Sequence, residues 1–265
     1  MAAINYNFNI ANQLDFFILS FLLSIKKGKN NKGMNHFSPK DLAIVVANET
    51  LILCAERAIF YPSQNTLFIA DAHFGKAATF RARGLPVPQG TTAFNLEQLD
   101  ILIERTRASE IIFLGDLFHA KEAHAVRNAL LSWRENHFKL KLTLIMGNHD
   151  HHAGAPDQAY RCKIVSEPYQ CGPFQLCHHP QIISENYVIA GHEHPVINLK
   201  SKSDRCRLPC FNFGKNLAVL PAFGSFTGGM PVNPNCNALF VCTSNQVLPV
   251  NQLARKLIKV CENPA

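Results

Sequence analysis

Five short segments gather the side chains that can do chemistry. They are Asp71-Ala-His73, Gly115-Asp116-Leu-Phe-His119, Gly147-Asn148-His149-Asp150, His178-His179 and Gly191-His192-Glu193-His194. The donors are carboxylate, amide and imidazole, with no thiolate among them. That set suits a pair of divalent cations such as Mn, Fe, Zn or Ni rather than Cu(I) or iron–sulfur clusters. Asp116 follows a glycine with no second acid beside it. Its two oxygens can bridge two ions about 3.5–4 Å apart, and ions so placed hold a hydroxide that is nucleophilic at neutral pH. The same charges would neutralise a phosphoryl oxygen in the transition state. On an extended chain neighbouring side chains point apart. If Asn148 binds metal, His149 therefore faces elsewhere and can protonate a leaving oxygen, with Asp150 aiming its ring.

One D-x-H or G-N-H alone is an ordinary turn. The signal lies in five of them, in order, each closing an apolar strand. His151, His152 and His179 are surplus to the ligand count and are expected to be solvated neighbours.

The elements that must position these segments are legible as alternating patterns. Residues 43–55 and 58–73 read as hairpins around Asn48-Glu49 and Ser63-Gln64-Asn65. Leu96, Leu99, Leu102 and Ile103 recur at helical spacing across 92–108, with Thr91 or Thr92 as the expected cap. Residues 121–138 form a second helix with a Val126, Leu130, Leu131 and Trp133 stripe. "EIIFLGD" and "KLTLIMGNHD" are buried strands, followed by "FQLCHH", "YVIAGHEH", "RLPCFNF", "LAVLPAF" and "NALFVCTS" and a short helix near 251–261. Strand–helix–strand alternation followed by strands implies a layered α/β chain with two sheets in one core. In open α/β sheets ligands collect beyond the carboxyl ends of strands, so the five segments are expected to meet on one rim.

The chain has 265 residues, 47% hydrophobic and 17% charged, which excludes wholesale disorder. The net charge is +7, of which residues 1–33 supply +3 from four lysines and one aspartate. The remaining mild basic bias is compatible with phosphate-bearing substrates. Nine cysteines include no C-x-x-C pair. They read as reduced and mostly buried, as in a cytoplasmic protein, and a structural zinc site from Cys162, Cys171, Cys177 or Cys206 is a secondary expectation. Residues 14–25, "LDFFILSFLLSI", are too few for a membrane span of about 20 residues. Their lysines follow rather than precede the apolar run, unlike a signal peptide. An atypical anchor, a docking helix and an upstream start misread as the true one remain open. The last is favoured because Met34 opens the globular pattern, and no stable membrane association is expected.

Taken together, D-x-H, G-D-x-x-H, G-N-H-D, H and G-H-x-H resemble the calcineurin-like metallophosphoesterase superfamily from Asp71 to His194. That resemblance implies two stacked mixed β-sheets flanked by helices. It implies one metal on Asp71, His73, Asp116 and His194, and a second on Asp116, Asn148, His178 and His192, with Mn2+ the favoured ion. The strings "DAHFGKAATFRARGLPVPQG" and "PAFGSFTGG" resemble the narrower ligase-associated DNA-damage-response endonuclease group, PdeM. This implies DNA as substrate, DNA repair as setting and ligase-associated repair proteins as partners. "GDLFH" is also similar to the double-strand-break-repair nucleases of the superfamily. His119 then either contacts a substrate phosphate or is a helix-start histidine bonded to the backbone. The group begins near Met34, which divides the chain into an extension, 1–33, and a single metallophosphoesterase domain, 34–265.

Lys76, Arg81 and Arg83 follow the first metal segment and can hold non-reacting phosphates. Lys200, Lys202, Arg205 and Arg207 lie in a basic loop that either tracks a nucleic-acid backbone or is merely solvated. The glycines of "GSFTGG" either bring backbone close to the site or make a turn. Three functions compete: a DNA endonuclease, a phosphoesterase for small nucleotides or monoesters, and a non-catalytic scaffold. The first predicts salt-sensitive DNA cleavage, and the last predicts missing ligands.

Overall fold

The computed structural model describes residues 38–252 apart from 88, 121–123, 155 and 201–204. The apolar stretch 14–25 and most of the C-terminal helix expected at 251–261 lie outside the described residues. No helix among the described residues is long and apolar enough to cross a membrane.

Two mixed sheets stack face to face. The first runs in chain order: β1 (Leu42–Val46), β2 (Glu49–Cys54), β3 (Ala58–Tyr61), β4 (Thr66–Ile69), β5 (Glu110–Leu114), β6 (Lys141–Ile145) and β7 (Cys162–Val165). β1 to β4 pair antiparallel through tight turns, as the two hairpins predict. β4 to β7 pair parallel, because helices intervene. These helices are α1 (Lys76–Ala82), α2 (Thr91–Thr106), α3 (His124–Asn136) and the short α4 (Asn148–Ala153). The expected threonine cap of α2 is replaced by Gly90, in left-handed backbone at φ 82, with no side-chain cap bond. Thr91 is already the first helical residue.

The second sheet holds β8 (Tyr169–Cys171), β9 (Phe174–Leu176), β10 (Tyr187–Ala190), β11 (Pro195–Lys200), β12 (Arg205–Phe213), β13 (Leu217–Val219), β14 (Met230–Pro231), β15 (Ala238–Cys242) and β16 (Val247–Pro249). Its order is β14-β11-β12-β13-β10-β9-β8, with β15 also on β12 and β16 on β15. At its centre β9, β10 and β13 are parallel.

Alternation along the strands decides which core each side chain joins. Leu67, Ile69, Ile111, Phe113, Leu142 and Leu144 face α2 and α3, meeting Leu99, Leu102, Leu130 and Trp133. Phe68, Ile112, Leu114 and Ile145 face the other way and pack on Phe174, Leu176, Ile189, Phe211 and Phe240 of the second sheet. Each such side chain contributes about 1.5–3 kcal/mol by leaving water. The sheets are therefore locked by two cores, one under the helices and one between the sheets.

One buried ionic cluster ties α2 to this frame. The Arg105 guanidinium bonds both Asp41 and Glu56, and Asp41 also accepts from the Ala55 N–H at 3.2 Å. Burial opposes the charge on Arg105, but the Asp41 bond and both carboxylates outweigh it and hold the group firmly protonated.

Candidate metal centre

The carboxyl ends of β4, β5 and β6 in one sheet and of β9 and β10 in the other open onto one rim. The backbone there is not extended. Asp71, His73, Asp116, His192 and His194 all adopt left-handed φ, at 54°, 45°, 52°, 70° and 49°. On an extended strand, Asp71 with His73 and His192 with His194 would share a face by alternation, but here the chain is not extended. These pairs converge because the chain has left the strand and coils. A non-glycine residue in that region costs roughly 1 kcal/mol or more. Cross-segment bonds hold it there: His73 N–H to Asp116 O at 2.8 Å, Phe74 N–H to Leu117 O at 2.8 Å and His192 N–H to Asp71 Oδ2 at 2.8 Å.

The donors fall into two groups that meet at Asp116. In the first, His73 Nε2 lies 3.4 Å from His194 Nε2 and 3.7 Å from Asp116 Oδ2, and His194 Nε2 lies 3.3 Å from Asp71 Oδ1. In the second, His178 Nε2 lies 3.0 Å from Asn148 Oδ1, 3.1 Å from His192 Nδ1 and 3.6 Å from Asp116 Oδ1. The two oxygens of Asp116 thus serve different groups. His178 is fully buried and its other nitrogen, Nδ1, sits 2.9 Å from Leu114 O, which fixes the ring's direction. Gly115 makes this possible. Its φ is 81°, and a Cβ there would stand 2.0 Å from His178 Nδ1.

This arrangement fits a cation pair. Asp71 Oδ1 is buried with no hydrogen-bond partner, although a buried carboxylate normally recruits one. Ring nitrogens face one another and face carboxylate oxygens at distances suited to a shared cation. Burial first, then Lys76 and the imidazoles of His194, His149 and His119, push the His73 pKa far below its ordinary value, so the ring is neutral and able to ligate. His192 is also lowered, by burial and then by His178 and His179.

The expected acid and its orienting group turn out differently placed. Asn148 and His149 are the first two residues of α4, so their side chains diverge by about 100° rather than opposing each other. Both aim at the rim. Among the described residues no hydrogen bond joins Asp150 to the His149 ring, so the carboxylate is engaged elsewhere than expected. Its oxygens accept the N–H groups of Gly147 at 3.0 Å and Phe118 at 3.2 Å, so it caps α4 and anchors the Asp116 loop. Burial raises its pKa to about 6, against the pull of those N–H groups. The His149 ring is set instead by the His119 main chain: Nδ1 lies 3.3 Å from His119 O. The two rings stack with centroids 4.9 Å apart, and each stands edge-on to His73. His119 thus lies with His73 and His149, their ring nitrogens converging.

Lys76 opens α1 beside the first group. Burial lowers its pKa, while Asp116 and Asp71 hold it up. Arg81 lies in the last turn of α1, about 140° round the helix from Lys76, so the two cations do not share a face. Arg83 caps the end of α1 and is exposed. His151 and His152 are exposed as expected. His179 is nearer than expected: its ring lies 4.7 Å from both His178 and His192. The residue that sequence reasoning missed is Glu167. It accepts the N–H of His178 at 2.6 Å, the N–H of His179 at 3.0 Å and the ring of His179 at 2.8 Å. Nothing local to Glu167 in the sequence marks it. Among the described residues no group of converging donors contains a cysteine, so the zinc site considered for Cys162, Cys171, Cys177 and Cys206 is not formed there. Of the basic loop, Lys202 lies outside the described residues.

A profile of the calcineurin-like phosphoesterase family matches residues 65–183, which span Asp71 to His178. Among solved structures, the Pseudomonas putida nuclease MPE is 37% identical, with a TM-score of 0.71, over 79% of this chain and 99% of that one. Yfce, a phosphoesterase from E. coli, is 14% identical over 71% of this chain and 94% of that one, and its TM-score of 0.33 carries no argument. A search of curated proteins finds no match.

Proposed function

Because this chain belongs to the calcineurin-like phosphoesterase family, and so is a hydrolytic metallophosphoesterase, we propose that it cuts phosphodiester bonds in DNA as an endonuclease. The observation that carries this reading is the convergence of two donor groups on the opposite oxygens of Asp116. Asp71, His73, Asp116 and His194 would hold one ion, and Asp116, Asn148, His178 and His192 the other, with manganese favoured. Such ions, when bound, activate water and neutralise charge on a phosphoryl group. The rest falls to the chain's own side chains. His149, with Nδ1 set against the His119 carbonyl, presents its other nitrogen to protonate the leaving oxygen. His119 and Lys76 contact the non-bridging oxygens, and Lys76 adds a charge that Asp116 and Asp71 favour against burial. Arg81 reaches a phosphate further along the strand. Glu167 positions the segment that carries His178.

The likeness to a nuclease supports a polynucleotide over a free nucleotide. A cytoplasmic repair setting with ligase-associated partners accords with the motif resemblance. Residues 34–265 are proposed as the single catalytic domain, with 1–33 outside it. The test is cleavage by the full chain with Mn2+ of bis(p-nitrophenyl) phosphate, circular single-stranded DNA and free nucleotides. Nicking of the circle supports an endonuclease. Turnover of nucleotides alone sinks it.

A further inference from the structure

A cleft of about 220 Å3 opens from His194 and is lined by Arg57, Arg207, Pro209, Ala222, Ser225 and Thr227 among others. Arg57 occupies the tight turn between β2 and β3 at φ 66. Its neighbour Glu56 is turned away and bound to Arg105. Among the described residues no carboxylate pairs with Arg57 or Arg207. Among the described residues Arg57 donates to main-chain oxygens, those of Ala222 and Gly224, each at 3.5 Å. A half-buried guanidinium without an anion is costly, because its lost hydration is not replaced. Arg207 comes from β12 and bonds the Gly229 carbonyl. Gly229 in turn lies on the metal segment: a Cβ there would stand 2.4 Å from His194 O. The next N–H, of Met230, bonds that same carbonyl at 3.1 Å. The glycines of "GSFTGG" thus bring one wall of the cleft against the ligand loop, and two cations face a groove that starts at the metal site.

We infer that Arg57 and Arg207 form a subsite for an internucleotide phosphate next to the one that is cut. This rests on the phosphodiesterase reading above. Guanidinium groups match phosphate oxygens in pairs and keep their charge. A small aryl diester has no second phosphate to offer, so the subsite separates polymers from small esters.

The test compares the full-length wild type with Arg57→Gln and Arg207→Gln, after thermal melting has confirmed that each is folded. Kinetics with Mn2+ are measured on bis(p-nitrophenyl) phosphate and on a fluorescein-labelled single-stranded oligodeoxynucleotide. Each variant is expected to lose roughly tenfold more kcat/KM on the oligonucleotide than on the aryl diester, mostly through KM. Binding of the same oligonucleotide in EDTA, read by anisotropy, should weaken about tenfold, and its log–log salt slope should flatten by about 1 per arginine removed. Equal losses on both substrates, or unchanged binding and slope, overturn the subsite. If Arg57→Gln does not fold, Arg207→Gln decides alone. A wild type that cleaves neither substrate but binds DNA with an arginine-dependent salt slope defeats the phosphodiesterase reading and leaves the subsite standing. A wild type that does not bind the oligonucleotide at all defeats the subsite.

Discussion

Two pairs of carboxylates with buried side chains, among the described residues, are completed in different ways. Asp41 and Glu56 share Arg105, a cation supplied by the chain and held in bonding contact with both. Asp71 and Asp116 are surrounded by imidazoles and an amide, one of their buried oxygens accepts no hydrogen bond, and His73 is held neutral. The first cluster is finished at folding and its work is structural. The second is left short of positive charge, and its ligand segments carry five strained residues as well. A protein keeps such a deficit where something binds, since it is selected for function and not for stability alone.

The largest test of that contrast is Asp116→Asn. Removing the shared oxygen is expected to cut phosphodiester turnover by about a thousandfold or more, from the loss of several kcal/mol of transition-state stabilisation. It should also raise the metal-free melting temperature by about 2–4 °C, because two like charges no longer crowd one site. Saturating Mn2+ should raise the melting point of the wild type only, as a ligand held at 100 times its Kd stabilises by about 2.7 kcal/mol. An Asp116→Asn protein that melts lower without metal, or higher with it, would break the contrast. Next comes Arg105→Met, expected to cost about 3 kcal/mol in urea denaturation by stranding two carboxylates while leaving the manganese-induced shift intact. His149→Ala follows. Turnover should fall about a hundredfold with the manganese shift retained if, as proposed, the ring donates a proton; loss of that shift would instead place His149 among the metal donors, beside His73 and His119. The smallest effect concerns thiols. Burial pushes Cys162 and Cys210 up to about 12, so at pH 8 they stay protonated and unreactive. Iodoacetamide should label the exposed Cys206 and Cys236 first, which mass spectrometry can read.

The gathering of polar strand ends on one rim was legible because chemistry restricts it. Few roles other than metal binding use Asp71, His73, Asp116, Asn148, His178, His192 and His194 at successive strand ends, and the apolar runs before them mark those strands. The hairpins and α2 were legible by periodicity. The supporting residues were not. Asp150 looked like a partner for the adjacent histidine, yet the chain turns helical at Asn148 and sends its carboxylate to Gly147 and Phe118. Glu167 and Arg57 lie 11 and 137 residues from the segments they serve, His178 and His194, and no local pattern encodes such a distance. Coiling of Asp71 and His192 into left-handed backbone was invisible for the same reason, since only contacts between separated loops enforce it.

The rim draws on both sheets, and this sets when the molecule becomes competent. Asp71, His73, Asp116 and Asn148 follow strands of the first sheet, while His178, His192 and His194 follow strands of the second. A ribosome that has delivered only the first half has made neither complete cage. On the function proposed above, capture of ions would await docking of the late strands, so a half-built polypeptide would lack the activity, and ions seated there would tie the two layers together.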